Sequence, residues 1–163
     1  MEDVVRSLGL LCLGTRLKRI GEQLQQDAQA LLDDETPALP ASQHPLLAAL
    51  DRLGPLTIGD LALALGVTQP GVTRHVSRLT KLRLVELDTR RDDQRQRVVR
   101  LSPSGQQLVD MAKRSIWPRL EGAVADLCAG LDGPLLVQLA AIEDGLKEAS
   151  LAIRAERVKG SAR

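Results

Sequence analysis

Two short helical patterns separated by one glycine constrain this chain more than any other feature. Residues 56–79 read LTIGDLALALGVTQPGVTRHVSRL. Thr57 stands where it can cap a helix whose apolar positions, Ile58, Leu61, Ala62 and Leu65, share one face. Gly66 follows the last of them, where a left-handed residue closes a helix at little cost. Val67 falls in the turn and is expected to point inward. Thr68 can cap a second helix, with Pro70 in its first turn, where a missing N–H leaves no bond unmade. The inward face of that helix is Val72, Val76 and Leu79; the outward face is Gln69, Gly71, Thr73, Arg74, Ser77 and Arg78. Cap, glycine stop and cap at this spacing predict a helix-turn-helix. A second helix with a short polar, basic face suits a DNA major groove. Gln, Thr and Arg are side chains that can read base edges there, and Gly71 would permit close approach.

A hairpin is expected next. Val85 and Leu87 alternate as a short strand, with Val99 and Leu101 as its partner. Between them Arg90, Arg91, Arg95 and Arg97 surround Asp92 and Asp93. Arginines at a hairpin tip suit a narrow minor groove, where the potential is most negative. The 163-residue chain carries a net charge of only +1. Yet Arg74–Arg100 holds nine Lys/Arg against four Asp/Glu, leaving thirteen against seventeen elsewhere. A basic block on a neutral chain is the footprint of a phosphate-binding module on a soluble scaffold. A winged helix that binds protein through a solvated basic face is the alternative.

The flanks predict helices. A long helix is expected over Val4–Leu32, with Leu10, Leu13, Leu17, Ile20 and Leu24 spaced 3-4-3-4 and a second apolar face from Val4, Leu8 and Leu11. DDETPALPASQHP reads as an acidic, proline-rich loop, and Pro45–Leu53 as a helix carrying Leu46, Leu47 and Leu50 inward. Ser102 and Pro103 open a helix expected over 103–128, kinked by Pro118, with Leu108, Met111, Ile116, Leu120, Val124 and Leu127 facing in. The last helix is expected over Leu135–Arg157, with Leu135, Leu139, Ile142, Leu146, Ala149 and Ile153 spaced 4-3-4-3-4. Seams at both ends of a small chain predict a homodimer. Its two recognition helices would meet a pseudo-palindromic double-stranded operator about one turn apart. The expected class is mainly α with a small β-hairpin wing, in one domain over 1–163. Its winged helix-turn-helix part is 45–102, with dimerisation helices at 1–36 and 103–157.

Other chemistry is not indicated. The chain starts Met-Glu-Asp, and LGLLCL is too short to span a bilayer, so a cytoplasmic protein with no membrane partner is expected. No phosphate loop, dinucleotide fingerprint or nucleophile–base motif occurs, so no enzyme and no cofactor are expected. His44, His75, Cys12 and Cys128 lack metal-ligand spacing. The cysteines read as small core hydrophobes, the alternative being thiol redox switching.

In order and spacing, LTIGDLALALGVTQPGVTRHVSRL, the LVEL strand, Asp93-Gln94-Arg95 and LSPSG resemble the MarR family of bacterial transcription regulators. The likeness covers 53–105 closely and the general organisation of nearly the whole chain. It implies a homodimeric DNA-binding regulator, most often a repressor, in which Asp93 and Arg95 pair with each other or with DNA. It also implies a small-molecule effector between the dimer helices and the winged domain, to which Arg16, Lys18, Arg19 and Trp117 could contribute. Two positions depart from the pattern. Arg83 stands where the family usually has glycine after the recognition helix, and Gln94 where a second arginine is common.

Overall fold

The computed structural model describes residues 1–33, 39–89, 97–151 and 153–154. The chain divides into two compact units, Met1–Gly122 and Ala123–Arg163.

The first unit opens with α1 (Val4–Ser7), a 3-10 turn (Gly9–Cys12) and α2 (Leu13–Asp33). The single helix expected here is interrupted because Gly9 adopts φ 58°, a left-handed conformation. Leu32 is the fully buried residue of α2. Val4, Leu8, Leu10, Leu11, Leu17 and Ile20 are exposed, Leu10 at 86%.

Next come a 3-10 turn (Ala41–Gln43), α3 (His44–Leu53), β1 (Leu56–Thr57), α4 (Ile58–Leu65) and α5 (Gln69–Lys81). β2 (Val85–Thr89), β3 (Arg97–Leu101) and α6 (Pro103–Arg114) follow. The hairpin has the expected register, Val85 opposite Leu101 and Leu87 opposite Val99. The sheet has a third strand, in the order β1-β3-β2, with Leu56 opposite Val99. Two residues are too few to show alternation, so β1 carries no sequence signal of its own. Val99, on the central strand, is fully buried. Leu46, Leu47 and Leu50 of α3, Leu61 of α4, Val72, Val76 and Leu79 of α5, and Val109 of α6 complete the same core. Leu39, from the stretch read as a loop, is buried in it too. Leu87 is partly solvent-facing.

The turn from α5 to β2 is fixed by one strained residue and its partners. Arg83 has φ 59° and is the positive-φ non-glycine among the described residues. Its carbonyl accepts from the Ser102 hydroxyl at 2.6 Å and the Ser104 hydroxyl at 2.7 Å. The Leu84 carbonyl accepts from the Ser102 amide at 3.1 Å. Ser102 Oγ also caps α6, accepting from Gly105 N at 3.0 Å. A Cβ on Gly105 would stand 1.9 Å from the Leu84 carbonyl oxygen. Only glycine lets α6 start this close to the turn.

The helix expected over 103–128 is two helices, α6 and α7 (Ile116–Cys128), parted at Ser115 with φ −119° and ψ −76°. The break lies one turn before Pro118, because a proline ring excludes the carbonyl four residues earlier, here that of Arg114. The buried stripe is Gly105, Val109, Ala112 and Ile116. Leu108 and Leu120 are half-buried, whereas Met111, Val124 and Leu127 are exposed, contrary to expectation. Small residues carry this contact, and a count of large apolar side chains misses them.

The second unit holds the end of α7 and α8 (Leu135–Glu148). α8 ends before the expected Arg157, since Ala149 is extended at φ −150°; Leu151, Ile153 and Arg154 are helical again, and residues 155–157 lie outside the described residues. Arg154 donates to the carbonyls of Ala149 and Gly145, satisfying acceptors at the end of α8. Of the expected seam, Leu135 and Leu139 are half-buried and Ala149 is buried, while Ile142, Leu146 and Ile153 are exposed. Among the described residues no helix is long and apolar enough to cross a membrane.

Arg83→Gly should stabilise the fold by about 1 kcal/mol, because glycine adopts the left-handed conformation without steric cost. Gly105→Ala should destabilise it by roughly 2 kcal/mol or more through the backbone clash. Urea denaturation of both variants checks the pair of opposite signs.

Candidate nucleic-acid interface

The helix-turn-helix is assembled by side chains acting on nearby backbone. Thr57 Oγ1 accepts from Asp60 N at 3.1 Å, and its hydroxyl lies 2.7 Å from Asp60 Oδ2. This closes the first turn of α4 and places an acid at its positive end. Gly66, at φ 64°, ends α4. Val67 N then bonds the Ala62 carbonyl at 3.1 Å. The left-handed step turns Val67 outward, 48% exposed, against the expectation that it points in.

Thr68 caps α5, accepting from Gly71 N at 3.4 Å. A Cβ on Gly71 would come within 3.3 Å of Thr68 Oγ1, so glycine here makes room for the cap. Val72, Val76 and Leu79 anchor α5 in the core. Gln69, Thr73, Arg74, Ser77 and Arg78 are all exposed on its other side, with His75 and Gly71 half-buried at its edges. The helix is thus fixed along one stripe and presents amide, hydroxyl and guanidinium groups along the other. The Thr73 hydroxyl donates to the Gln69 carbonyl at 2.9 Å.

In the hairpin, Arg97 opens β3 and is exposed. Arg90, Arg91, Asp93 and Arg95, and Gln94 with them, lie outside the described residues. Arg100, part of the basic block, is held across the ladder by Glu86 at 2.5 Å, with Asp88 at 3.9 Å. Its charge is matched within the hairpin. Only strand register reveals this, since Glu86 and Arg100 are fourteen positions apart and directly opposite.

The residues considered for an effector take separate partners. Arg19 reaches Asp3 through two bonds, 2.8 and 3.2 Å, which holds the Asp3 carboxyl below its ordinary range and raises Arg19. Trp117 Nε1 donates to His44 Nδ1 at 3.0 Å. Arg16 is half-buried and Lys18 is exposed beside Glu22. No hydrogen bond or ion pair joins Arg16, Arg19 and Trp117 among the described residues. Sequence reasoning missed the Trp117–His44 bond and the Asp51 cluster. In the latter, Lys113 at 2.8 Å and Gln106 at 3.0 Å keep the Asp51 carboxyl low and tie α3 to α6. Among the described residues, no group of three or more His, Cys, Asp or Glu side chains could hold a metal ion.

Residues 39–96 match the model of the MarR family. No curated protein matches the chain. Among solved structures, BpsR of Bordetella bronchiseptica, described for regulation of its DNA binding by 6-hydroxynicotinic acid, is 22% identical with a TM-score of 0.68. The match covers 85% of this chain and 94% of that one. A MarR family transcriptional regulator from Silicibacter pomeroyi DSS is 25% identical with a TM-score of 0.60, covering 83% and 87%. Overoxidised AbfR bound to DNA is 19% identical with a TM-score of 0.67, covering 88% and 94%. The fold of these regulators is the fold of this chain.

Two kinds of residue on α5 should separate in a stability measurement. Thr68→Ala should cost about 1 kcal/mol through the lost cap. Arg74→Ala and Arg78→Ala, on the exposed side, should stay within about 0.5 kcal/mol of the parent. Thermal unfolding of the three variants checks this.

Proposed function

We propose that this chain, whose residues 39–96 match the model of the MarR family and whose fold is that of solved regulators, is a MarR-family, sequence-specific double-stranded DNA-binding transcription regulator. The observation that carries the reading is α5, buried along Val72, Val76 and Leu79 while Gln69, Thr73, Arg74, Ser77 and Arg78 stand exposed. In this reading Gln69, Thr73, Arg74 and Arg78 read base edges in the major groove. Thr68 and Gly71 hold the start of that helix, and Ser77 lies along the same face. Arg90, Arg91, Arg95 and Arg97 supply phosphate and minor-groove contacts, with Asp93 orienting Arg95.

The regulator acts as a homodimer in the cytoplasm, has no enzymatic role and represses. The exposed apolar residues of the N-terminal helices, Leu10, Leu11 and Ile20 among them, support dimerisation. Residues 1–36 and 103–157 form the dimerisation part of a single functional domain, with 45–102 as the DNA-binding part. A small-molecule effector alters the separation of the two recognition helices. BpsR, whose DNA binding is regulated by 6-hydroxynicotinic acid, supports that element of the reading. About 1–3 kcal/mol of coupling between effector and DNA is enough to switch occupancy.

The test is titration of a labelled fragment from upstream of the protein's own gene, against scrambled DNA, at several salt concentrations. Preferential binding with a steep salt slope is expected; equal weak binding to both overturns the reading. Arg74→Ala should cost about 1–3 kcal/mol on the preferred fragment and relax discrimination. Arg95→Ala should weaken both fragments alike and lower the salt slope by about one. Sedimentation should give twice the 17.6 kDa chain mass; a monomer removes the dimer from the proposal.

A further inference from the structure

The chain has one tryptophan, and a histidine holds it. Trp117, in the first turn of α7, packs against both buried apolar clusters of the first unit. Its Nε1–H donates to Nδ1 of His44 at 3.0 Å, with the rings edge to face at 74°. His44 is the first residue of α3. The bond fixes the imidazole's protonation pattern: Nδ1 must offer a lone pair, so the proton of the neutral ring sits on Nε2. Nε2 is buried without a partner among the described residues, and so is Oε1 of the adjacent Gln43. His44 and Gln43 are only 7% and 3% exposed.

We propose that the His44–Trp117 pair is a proton-operated latch, which ties the start of α7 to the start of α3 while His44 is neutral and releases it when Nδ1 takes a proton. Protonation would set one N–H against another across 3.0 Å, so the bond cannot survive it. The imidazolium would also be a charge in an apolar enclosure. Gln43 Oε1, within the same turn, is an acceptor open to a reoriented ring.

Charged groups do not offset this. The elements that meet α3 carry Asp60 on α4, Arg97 and Arg100 on β3, and Lys113 and Arg114 on α6; Asp51 and Arg52 lie on α3 itself, and Arg119 and Glu121 on α7. Asp51 and Lys113 are bonded to each other. Burial alone lowers the His44 pKa from its ordinary value. A histidine lowered in the folded state contributes its full stability above the ordinary value, about 6.5, and loses it as the pH falls below that value. The latch therefore holds at neutral pH and opens as the pH falls through the lowered pKa of His44. α3 supplies Leu46, Leu47 and Leu50 to the core under α4 and α5, so proton uptake acts where the exposed face of α5 is supported. The latch goes beyond the proposed function and stands or falls without DNA.

Trp117 reports on its own bond, because the chain has no tyrosine and no second tryptophan. Intrinsic emission of the full chain is followed from about pH 8 down to the pH at which the chain unfolds. A shift in emission with a midpoint below about 6.5 is expected. His44→Gln, which keeps an acceptor for Trp117 and does not titrate, should abolish it. His75→Gln, at the other histidine, should leave it in place. Flat emission in the parent chain, or the same transition in His44→Gln, overturns the proposal. A second measurement covers a His44 variant that fails to fold. In the His75→Gln chain His44 is the sole histidine, and its ring proton resonances can be titrated directly. A midpoint below about 6.5 that rises when Trp117→Phe is added supports the latch; a midpoint at or above 6.5 overturns it.

Discussion

Two serine hydroxyls on one backbone carbonyl hold the winged helix in register. The Arg83 carbonyl accepts from both Ser102 and Ser104, while the next carbonyl, of Leu84, accepts from the Ser102 amide. The turn thereby joins the end of α5, the start of β2 and the start of α6 at one point. Left-handed arginine costs about 1–2 kcal/mol, and hydrogen bonds of this kind contribute about 1 kcal/mol each. The clasp therefore offsets the strain it imposes. Gly105 is the counterpart of the clasp, since any side chain there would occupy the space of the Leu84 carbonyl. The orientation of α5 relative to the hairpin, on which any reading of a duplex depends, follows from these few atoms.

The apolar surface is distributed in a way that local packing does not explain. Around β3 the core is closed, with Leu47, Leu61, Val72, Leu79, Val99 and Val109 shielded from solvent. Along the N-terminal helices the same residue types stand in water, and in the second unit Leu136, Val137 and Leu146 do so as well. Exposed leucines in such number are the surface on which the proposed dimer rests.

How much of this was legible in the sequence depended on range. The caps at Thr57, Thr68 and Ser102 and the left-handed stop at Gly66 act within three residues, and each occurs where the sequence places it. Arg83 could be singled out only through the resemblance, because it stands where that family usually has glycine. Contacts that depend on folding first were not legible. β1 exists only because β3 lies beside it. The buried stripe of α6 uses Gly105 and Ala112, which carry little hydrophobic signal. Trp117 and His44 meet across 73 positions. Arg100 counts as a free cation in the sequence, yet Glu86 sits directly opposite it once the strands pair. The α5 face was fully legible, because helical periodicity alone divides Val72, Val76 and Leu79 from the polar residues between them.

If α5 reads a major groove as proposed, the bond from the Thr73 hydroxyl to the Gln69 carbonyl bears on base identity. A threonine whose only hydroxyl proton is committed to its own helix turns lone pairs and a methyl group outward. Facing a base pair, such a side chain can accept from the amino groups of adenine or cytosine and can touch the thymine methyl. It has nothing to give the two acceptors of guanine. At that one step of a duplex, the helix would discriminate by what it withholds.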